Sequence, residues 1–427
     1  MLIPQLLPKK SPSEIPETQL EFDYDIAIVG GGIVGTTLAC ALKDSSLKVA
    51  IIETQTPDVA AAKKQAYALS LMSGMILESI GIWQQILPRI TTFEQINLCD
   101  GDYPKIVQFY RQDLGNTGKM PVPKSALGYV GEHGILLTAL QECLEKSPNF
   151  SWICPAEVSQ VEYYSDRAAV EIKLNDETRT IYTKLLVAAD GARSHIRSQA
   201  NINTQGWKYW QSCIAMTIKT ENPHNNIAFE RFWPSGPMGV LPLPENRYQI
   251  VWTAPHAEAK LLKELDKTEF LQLLEKRTGG HLGRLELVSD RYLFPVQLMQ
   301  SDRYTLPRLA LIGDAAHCCH PVGGQGLNMG IRDAAALAQI LQSAHNQGED
   351  IGNLQVLKRY ESWRKKENFI VLGFTDFLDR LFSNTWPPIV TFRRFGLWTL
   401  RAIPLVKLLA LRLMTGLFGS APKLSQK

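Results

Sequence analysis

The sequence lacks what several large functional classes need. Its 427 residues include seven cysteines, an odd number, and no Cys-x-x-Cys pair. That argues against a disulfide framework and points to a reduced, cytoplasmic setting. No run of about eighteen uncharged apolar residues occurs, so no segment is expected to span a membrane. The formal net charge is only +3, too small to suggest a nucleic-acid partner. No internal repeat, P-loop, nucleophile elbow or paired-carboxylate signature is present. The N-terminal stretch 1–22 has Pro4, Pro8, Pro12 and Pro16, no arginine and no secretory apolar core. With Glu14, Glu17 and Glu21 it reads as a flexible lead-in, not a targeting segment. Acids are missing from the tail: residues 384–427 carry seven Lys or Arg and no Asp or Glu.

What is present starts abruptly at Tyr24. Ile26 to Val29 is a short buried-strand run, Gly30 to Gly32 follow at once, and Ile33, Val34, Thr37, Leu38, Ala41 and Leu42 keep helical spacing. Val49 to Ile52 is a second strand, ended by Glu53. This is the βαβ format of a dinucleotide-binding unit. In Gly30-x-Gly32-x-x-Gly35 the glycines allow a tight turn, backbone approach to a pyrophosphate, and close helix–strand packing. The helix start then offers free N–H groups and a positive dipole end to phosphates. Glu53 stands where an acid should accept hydrogen bonds from ribose hydroxyls. This unit alone does not separate FAD from NAD.

Further along, a helix is predicted from Ser73 to Ile80 and another around Leu136, Leu140 and Leu144. Strands are predicted at Val158–Tyr163, Ala168–Leu174, Thr178–Tyr182 and Leu185–Ala189, with a turn at Asn175 and Asp176. A second group follows at Cys213–Lys219, Ile227–Phe232 and Tyr248–Thr253. Leu309–Ile312 is a last strand, a helix spans Gly326 to Ala344, and the chain beyond is helical.

Two later segments narrow the reading. One runs from Leu185 to Arg197 around Asp190 and Gly191. The other runs from Leu311 to Asn328 and contains Gly313, Asp314, His317, His320, Pro321, Gly324, Gly326 and Leu327. With the first turn, in this order, they resemble the aromatic hydroxylase flavoproteins of the para-hydroxybenzoate hydroxylase type. Leu127–Val130, Gly206-Trp207, Ala228–Phe232 and Pro234–Pro237 look like the subgroup that hydroxylates ubiquinone precursors. The likeness covers about residues 24–385.

The resemblance implies a Rossmann-like FAD-binding domain of the glutathione-reductase type, an α/β fold, with an inserted β-sheet substrate domain and C-terminal helices. The expected division is 23–105, 128–205 and 299–345 for FAD, 106–127 and 206–298 for substrate, and 346–427 as a helical region with a basic tail. The resemblance assigns Asp314 to the ribityl or ribose hydroxyls, Leu327 and Asn328 to the flavin edge, and Asp190 and Gly191 to a second nucleotide contact. It also carries Ile33, Val34, Gln65, Val158, Gly313 and Pro321 into the cofactor surroundings. Gln65 stands where the family often has Arg, and His133 to Leu137 replace a more basic run.

The implied activity is a monooxygenase reaction. NAD(P)H reduces FAD, O2 adds at flavin C4a, and the resulting hydroperoxide hydroxylates the ring of a polyprenylated phenol or quinone precursor. No side chain is assigned a catalytic role, because the flavin carries the chemistry. His317, Cys318, Cys319 and His320 are too close in sequence to converge on one ion, so no metal is expected. The tail interleaves Trp386, Phe392, Phe395, Leu397, Trp398, Leu405 and Leu409 with Arg393, Arg394, Arg401, Lys407 and Arg412. It suits a helix lying in a membrane interface, or one packed on the protein or on a partner in a quinone-biosynthesis complex. Two rival readings share the nucleotide fold: an FAD-dependent prenyl-chain reductase, and a non-catalytic FAD-binding scaffold.

Overall fold

The computed structural model of the chain describes residues 22–101, 106–115, 126–174 and 177–426. The lead-in over residues 1–21 and the turn at Asn175 and Asp176 lie outside the described residues. Within them, strands form three sheets of eight, nine and three.

Tyr24–Val29 is buried along its apolar centre because it has a neighbour on each side. The first sheet runs Thr305–Leu306, Leu309–Leu311, Glu177–Ala188, Tyr24–Val29, Val49–Ile52, Phe150–Ile153. Its neighbours are parallel from Leu309–Leu311 onward, as βαβ connections require. Helix Ile33–Leu42 packs between the long helix Gln325–Asn346 and helix His133–Glu145. Ala156–Tyr163 and Ala168–Leu174 extend the sheet as an antiparallel flap.

Thr178–Tyr182 and Leu185–Ala189 were expected as two strands, and they are one, Glu177–Ala188. The polar break between them is where the strand changes partner. Up to Thr183 it pairs antiparallel with Ala168–Leu174, and from Thr183 onward it pairs parallel with Tyr24–Val29. The buried Thr183 hydroxyl donates to the Leu185 carbonyl at 3.0 Å and so needs no outside partner.

The second sheet contains Thr204–Thr220, Ile227–Phe232, Met238–Leu243, Arg247–Pro255 and Tyr292–Ser301, with helices His256–Glu264 and Lys267–Thr278 over its own core. Gln95–Asp100 also belongs here. It pairs parallel with Ile227–Phe232, although the reading of the sequence placed 23–105 with the nucleotide-binding unit. Its pattern fits a half-buried strand in either sheet, and only tertiary pairing decides. Tyr292–Ser301 and Thr204–Thr220 pair along their length from Thr204↔Ser301 to Ala215↔Tyr292, so the sheet also crosses the boundaries expected at 206 and 298. Ala66–Ser70, Thr91–Phe93 and Gly128–Glu132 form the small third sheet.

Helices Leu354–Phe382, Pro387–Ala402 and Pro404–Met414 complete the chain. No helix among the described residues is long and apolar enough to cross a membrane.

Candidate functional site

The first turn is set by backbone packing. Gly30 has φ +111°, and a Cβ there would lie 2.4 Å from the Ala189 carbonyl oxygen. A Cβ on Gly35 would lie 2.1 Å from the Gly30 oxygen, so a side chain at either position would wedge strand from helix. A Cβ on Gly32 would meet nothing within 4 Å. Gly32 instead opens on a cleft, and as N-cap of Ile33–Leu42 it supplies no side chain to the first helical N–H groups. Glu53 has a task beyond the one expected. Its Oε2 accepts from the Gly31 N–H at 2.6 Å, and its Oε1 accepts from Thr54 Oγ1 and the Gln55 N–H, so the acid pins the turn.

The second turn follows Glu177–Ala188. Asp190 accepts from the Ile196 N–H through Oδ2 at 3.2 Å, while its buried Oδ1 has no partner. Ser194, not Asp190, is the N-cap of the short helix beyond.

The third turn follows Leu309–Leu311. The Asp314 side chain projects into the cleft, with no hydrogen bond or ion pair from another side chain among the described residues. Desolvation by the cleft walls raises its pKa, with His317 opposing and Asp333 adding to the rise. The Gly313 N–H donates to Asp333 Oδ2. The loop from Pro321 then turns into helix Gln325–Asn346, whose N-cap Gly324 is left-handed. Asn328 is a clasp: its Oδ1 accepts from the Ser70 N–H and Ser73 Oγ, and its Nδ2 donates to the Ala68 and Gly324 carbonyls.

The three turns meet at one cleft of about 1400 Å³, its open mouth included. Gly32, Ile33, Val34, Gln65, Gly191, Asp314, Pro321, Gly324, Gly326 and Leu327 line it. Gly30, Gly35, Glu53, Asp190, Gly313 and Asn328 are not in the cleft wall, and of these Glu53 and Asn328 hold the backbone of Gly31 and Gly324 from behind. Val158 is elsewhere: its side chain faces the core of the antiparallel flap and is not part of the cleft wall, because strand alternation turns it inward. Tyr67, Ala68, His133, Phe294, Cys318 and Cys319 also line the cleft and were not foreseen. Tyr67 and His133 belong to a small sheet and an adjoining helix start that bear no glycine signature. Their hydroxyl and Nδ1 lie 3.3 Å apart.

The fit to a flavin dinucleotide rests on the same geometry. Uncapped N–H groups at a helix start face the cleft, an unpartnered carboxylate stands across it, and a second helix start closes one end.

Beneath the third turn, Asp333 is wholly buried. Its Oδ2 meets His317 Nε2 at 2.5 Å, and its Oδ1 accepts from Arg364 Nε at 2.8 Å and Asn368 Nδ2 at 3.1 Å. Burial alone would raise its pKa, but the His317 and Arg364 charges and hydrogen bonds outweigh this and hold it below the ordinary carboxylate range. His320 points elsewhere, with Nε2 3.4 Å from Gln211 Oε1 and 3.5 Å from Asp379 Oδ1. The two histidines therefore serve separate polar clusters.

A second cavity of about 620 Å³, its open mouth included, shares Ala68, Leu241, Val251, Pro321 and Gly324 with the cleft. Its other walls include Phe93, Ile96, Phe229, Glu230, Pro237 and Met414.

Comparison with known proteins agrees with this geometry. A family described as FAD binding domain matches residues 23–368. The chain is 54% identical to uncharacterized protein slr1300 of Synechocystis sp., over 94% of this chain and 95% of that one. It is 34% identical to ubiquinone hydroxylase UbiL of Rhodospirillum rubrum, over 93% of this chain and 91% of that one. Among solved structures, p-nitrophenol 4-monooxygenase PnpA from Pseudomonas putida superposes with a TM-score of 0.77 at 19% identity, covering 93% of this chain and 99% of that one. The last likeness speaks to fold.

Proposed function

The chain belongs to the FAD-dependent hydroxylases of the ubiquinone-biosynthesis group, flavoprotein monooxygenases, and on that premise we propose that it hydroxylates the ring of a lipid-tailed phenol or quinone precursor with NAD(P)H and O2. The observation that carries this reading is the shared wall between the cofactor cleft and an apolar, ring-sized second cavity. A substrate ring held there would lie beside a cofactor held in the cleft. Bound FAD supplies the redox chemistry, taking reducing equivalents from NAD(P)H and passing one oxygen atom of O2 to the ring. The ring C–H becomes C–OH, NAD(P)H and a proton are consumed, and the second oxygen atom leaves as water.

The chain's own part is to bind, orient and keep dry. The N–H groups at Gly32, Ile33 and Val34 hold the phosphates, with Gly30, Gly35 and Glu53 fixing the turn. The Asp314 carboxylate accepts from sugar or ribityl hydroxyls, and Gly191 borders the same ligand with Asp190 behind it. The backbone N–H groups at the helix start, Leu327 and Asn328, would face a bound flavin ring and favour negative charge there, as a preorganised helix start does. Phe93, Ile96, Phe229 and Met414 exclude water from the ring.

The lipid tail has a counterpart on the surface. Trp386, Phe392, Phe395, Trp398, Leu405 and Leu409 are exposed on the two C-terminal helices, in a stretch without acids. We read this face as lying on an anionic lipid surface, which would put the second cavity within reach of a membrane-resident substrate. Met414, at the end of the same helices, lines that cavity.

Purified protein is expected to be yellow and to oxidise NAD(P)H faster when a prenylated phenol is added, only with O2 present. Gly32→Asp or Asp314→Ala should abolish flavin retention while the chain stays folded by circular dichroism. A colourless wild type that releases no flavin on denaturation would end this reading. Turnover without O2 would favour the prenyl-chain reductase, and flavin without substrate-stimulated oxidation the scaffold.

A further inference from the structure

Glu230 sits in the middle of the second sheet, on Ile227–Phe232, and is the one ionisable side chain among the described residues lining the second cavity. Its Oε2 accepts a long hydrogen bond, 3.3 Å, from the Gly323 N–H in the loop that closes the cleft. No other hydrogen bond and no ion pair engages the carboxyl among the described residues, and every other residue lining the cavity is uncharged. A lone carboxyl in such a place is costly unless a ligand completes it.

The groups around Glu230 leave that role to a ligand. On the two flanking strands Glu230 is paired with Leu98 and Gly239, neither ionisable, and burial pushes the thiol of Cys213, farther across the sheet, up to about 12 and so keeps it neutral. From the loop it faces only the Gly323 N–H. Arg231, next on the strand, is turned away to stand beside Gly279. Without a cation nearby, burial raises the Glu230 pKa to about 7, with the Gly323 N–H opposing the rise.

We propose that Glu230 is the base of this site, the side chain that accepts the proton of the substrate's ring hydroxyl ortho or para to the carbon oxidised. The inference rests on the hydroxylase reading of the same site. The substrate O–H bond breaks, the proton passes to Glu230 Oε1, and the bonding pair stays on the ring oxygen. That pair delocalises to the ortho and para carbons, where an electrophilic oxygen atom attaches. After the new C–O bond forms, the ring carbon loses its hydrogen as a proton and aromaticity returns. Glu230 gives its proton back to the first oxygen and ends as it began. A half-buried carboxylate that can exchange a proton near neutral pH suits this task.

The test uses flavin-loaded protein without NAD(P)H, titrated with 2-prenylphenol and with its methyl ether, with binding read from the flavin absorbance. Wild type should prefer the phenol by about tenfold or more, and the preference should shrink as pH falls below about 7, where Glu230 already holds a proton. Glu230→Gln keeps an acceptor for the Gly323 N–H but cannot take a proton. It should retain flavin, lose most of the preference, and lower the hydroxylation rate by about 10²- to 10⁴-fold. Wild-type hydroxylation should rise with pH through about 7, whereas the variant should show no such rise. Glu230→Asp should recover part of the rate. Flavin-loaded Glu230→Gln with the wild-type preference and pH profile overturns this proposal alone, as does a wild-type preference that ignores pH. A protein that takes no flavin, or binds neither probe, overturns the hydroxylase reading and this proposal with it.

Discussion

His320 shows how much a single buried side chain can set. It is fully buried, its Nδ1 accepts from the Val322 N–H, and burial pulls its pKa from 6.5 to about 3. In the unfolded chain the same imidazole takes up a proton near 6.5. Between about 6.5 and about 3 the unfolded state therefore binds more protons, so stability falls as pH falls through that window. Asp333 acts in the same direction lower down. Its folded-state pKa is depressed, so its contribution is present above the unfolded value of 3.8 and is lost as pH falls through the folded one. His320→Gln should flatten the upper part of the decline, measured by urea denaturation at stepped pH, and an unchanged curve would contradict the burial argument. The glycines at 30, 32 and 35 were legible in the sequence because their constraint is local to a few residues of backbone. Arg364 was not: it reads as an ordinary position, yet it is fully buried and paired with Asp333, 31 residues away. Glu230 stood in a recognised segment, but nothing in that segment says that the cavity around it is otherwise apolar.

At the scale of elements, the C-terminal helices separate two kinds of arginine that look alike in sequence. Arg393 was expected among the lipid-facing cations. The structure turns it inward, with Nη2 3.0 Å from Asp100 Oδ1, Nε 3.0 Å from Asp100 Oδ2, and Nη1 on the Phe382 and Asn384 carbonyls. It ties helix Pro387–Ala402 to the second sheet, and a helical pattern cannot reveal this because Asp100 lies nearly three hundred residues away. Arg393→Leu leaves the Asp100 charge buried without its main partner and should cost about 3–5 kcal/mol in chemical denaturation. A loss below about 1 kcal/mol, no more than an exposed pair gives, would contradict the anchor. The exposed face should behave in the opposite way. Phe395→Ser with Trp398→Ser should leave stability within about 0.5 kcal/mol, yet reduce co-sedimentation with anionic-lipid vesicles several-fold. Equal retention by wild type and the double variant would sink the lipid-facing reading of these helices. Helix and strand positions themselves were largely readable from periodicity. The partner change within Glu177–Ala188 and the allegiance of Gln95–Asp100 were not, because both are decided by neighbours distant in sequence.

For the whole molecule, the order of the three motifs carried most of the architecture. Three turns far apart in sequence belong to adjacent parallel strands of one sheet, so their ends must converge, and a second sheet has to cover them. The sequence left open what lies between the two sheets, since the second cavity draws on seven or more separate segments with no shared motif. The central claim is that cleft and cavity together pass one oxygen atom to a ring. Its most direct measurement supplies flavin-loaded protein with NAD(P)H, a short-tailed prenylphenol and isotopically heavy oxygen gas, and reads the product by mass spectrometry. The account predicts one heavy oxygen atom on the ring per molecule of product, and none when heavy water replaces heavy gas. Product carrying oxygen from water, or NAD(P)H consumed with the ring unchanged for every phenol tried, would contradict it.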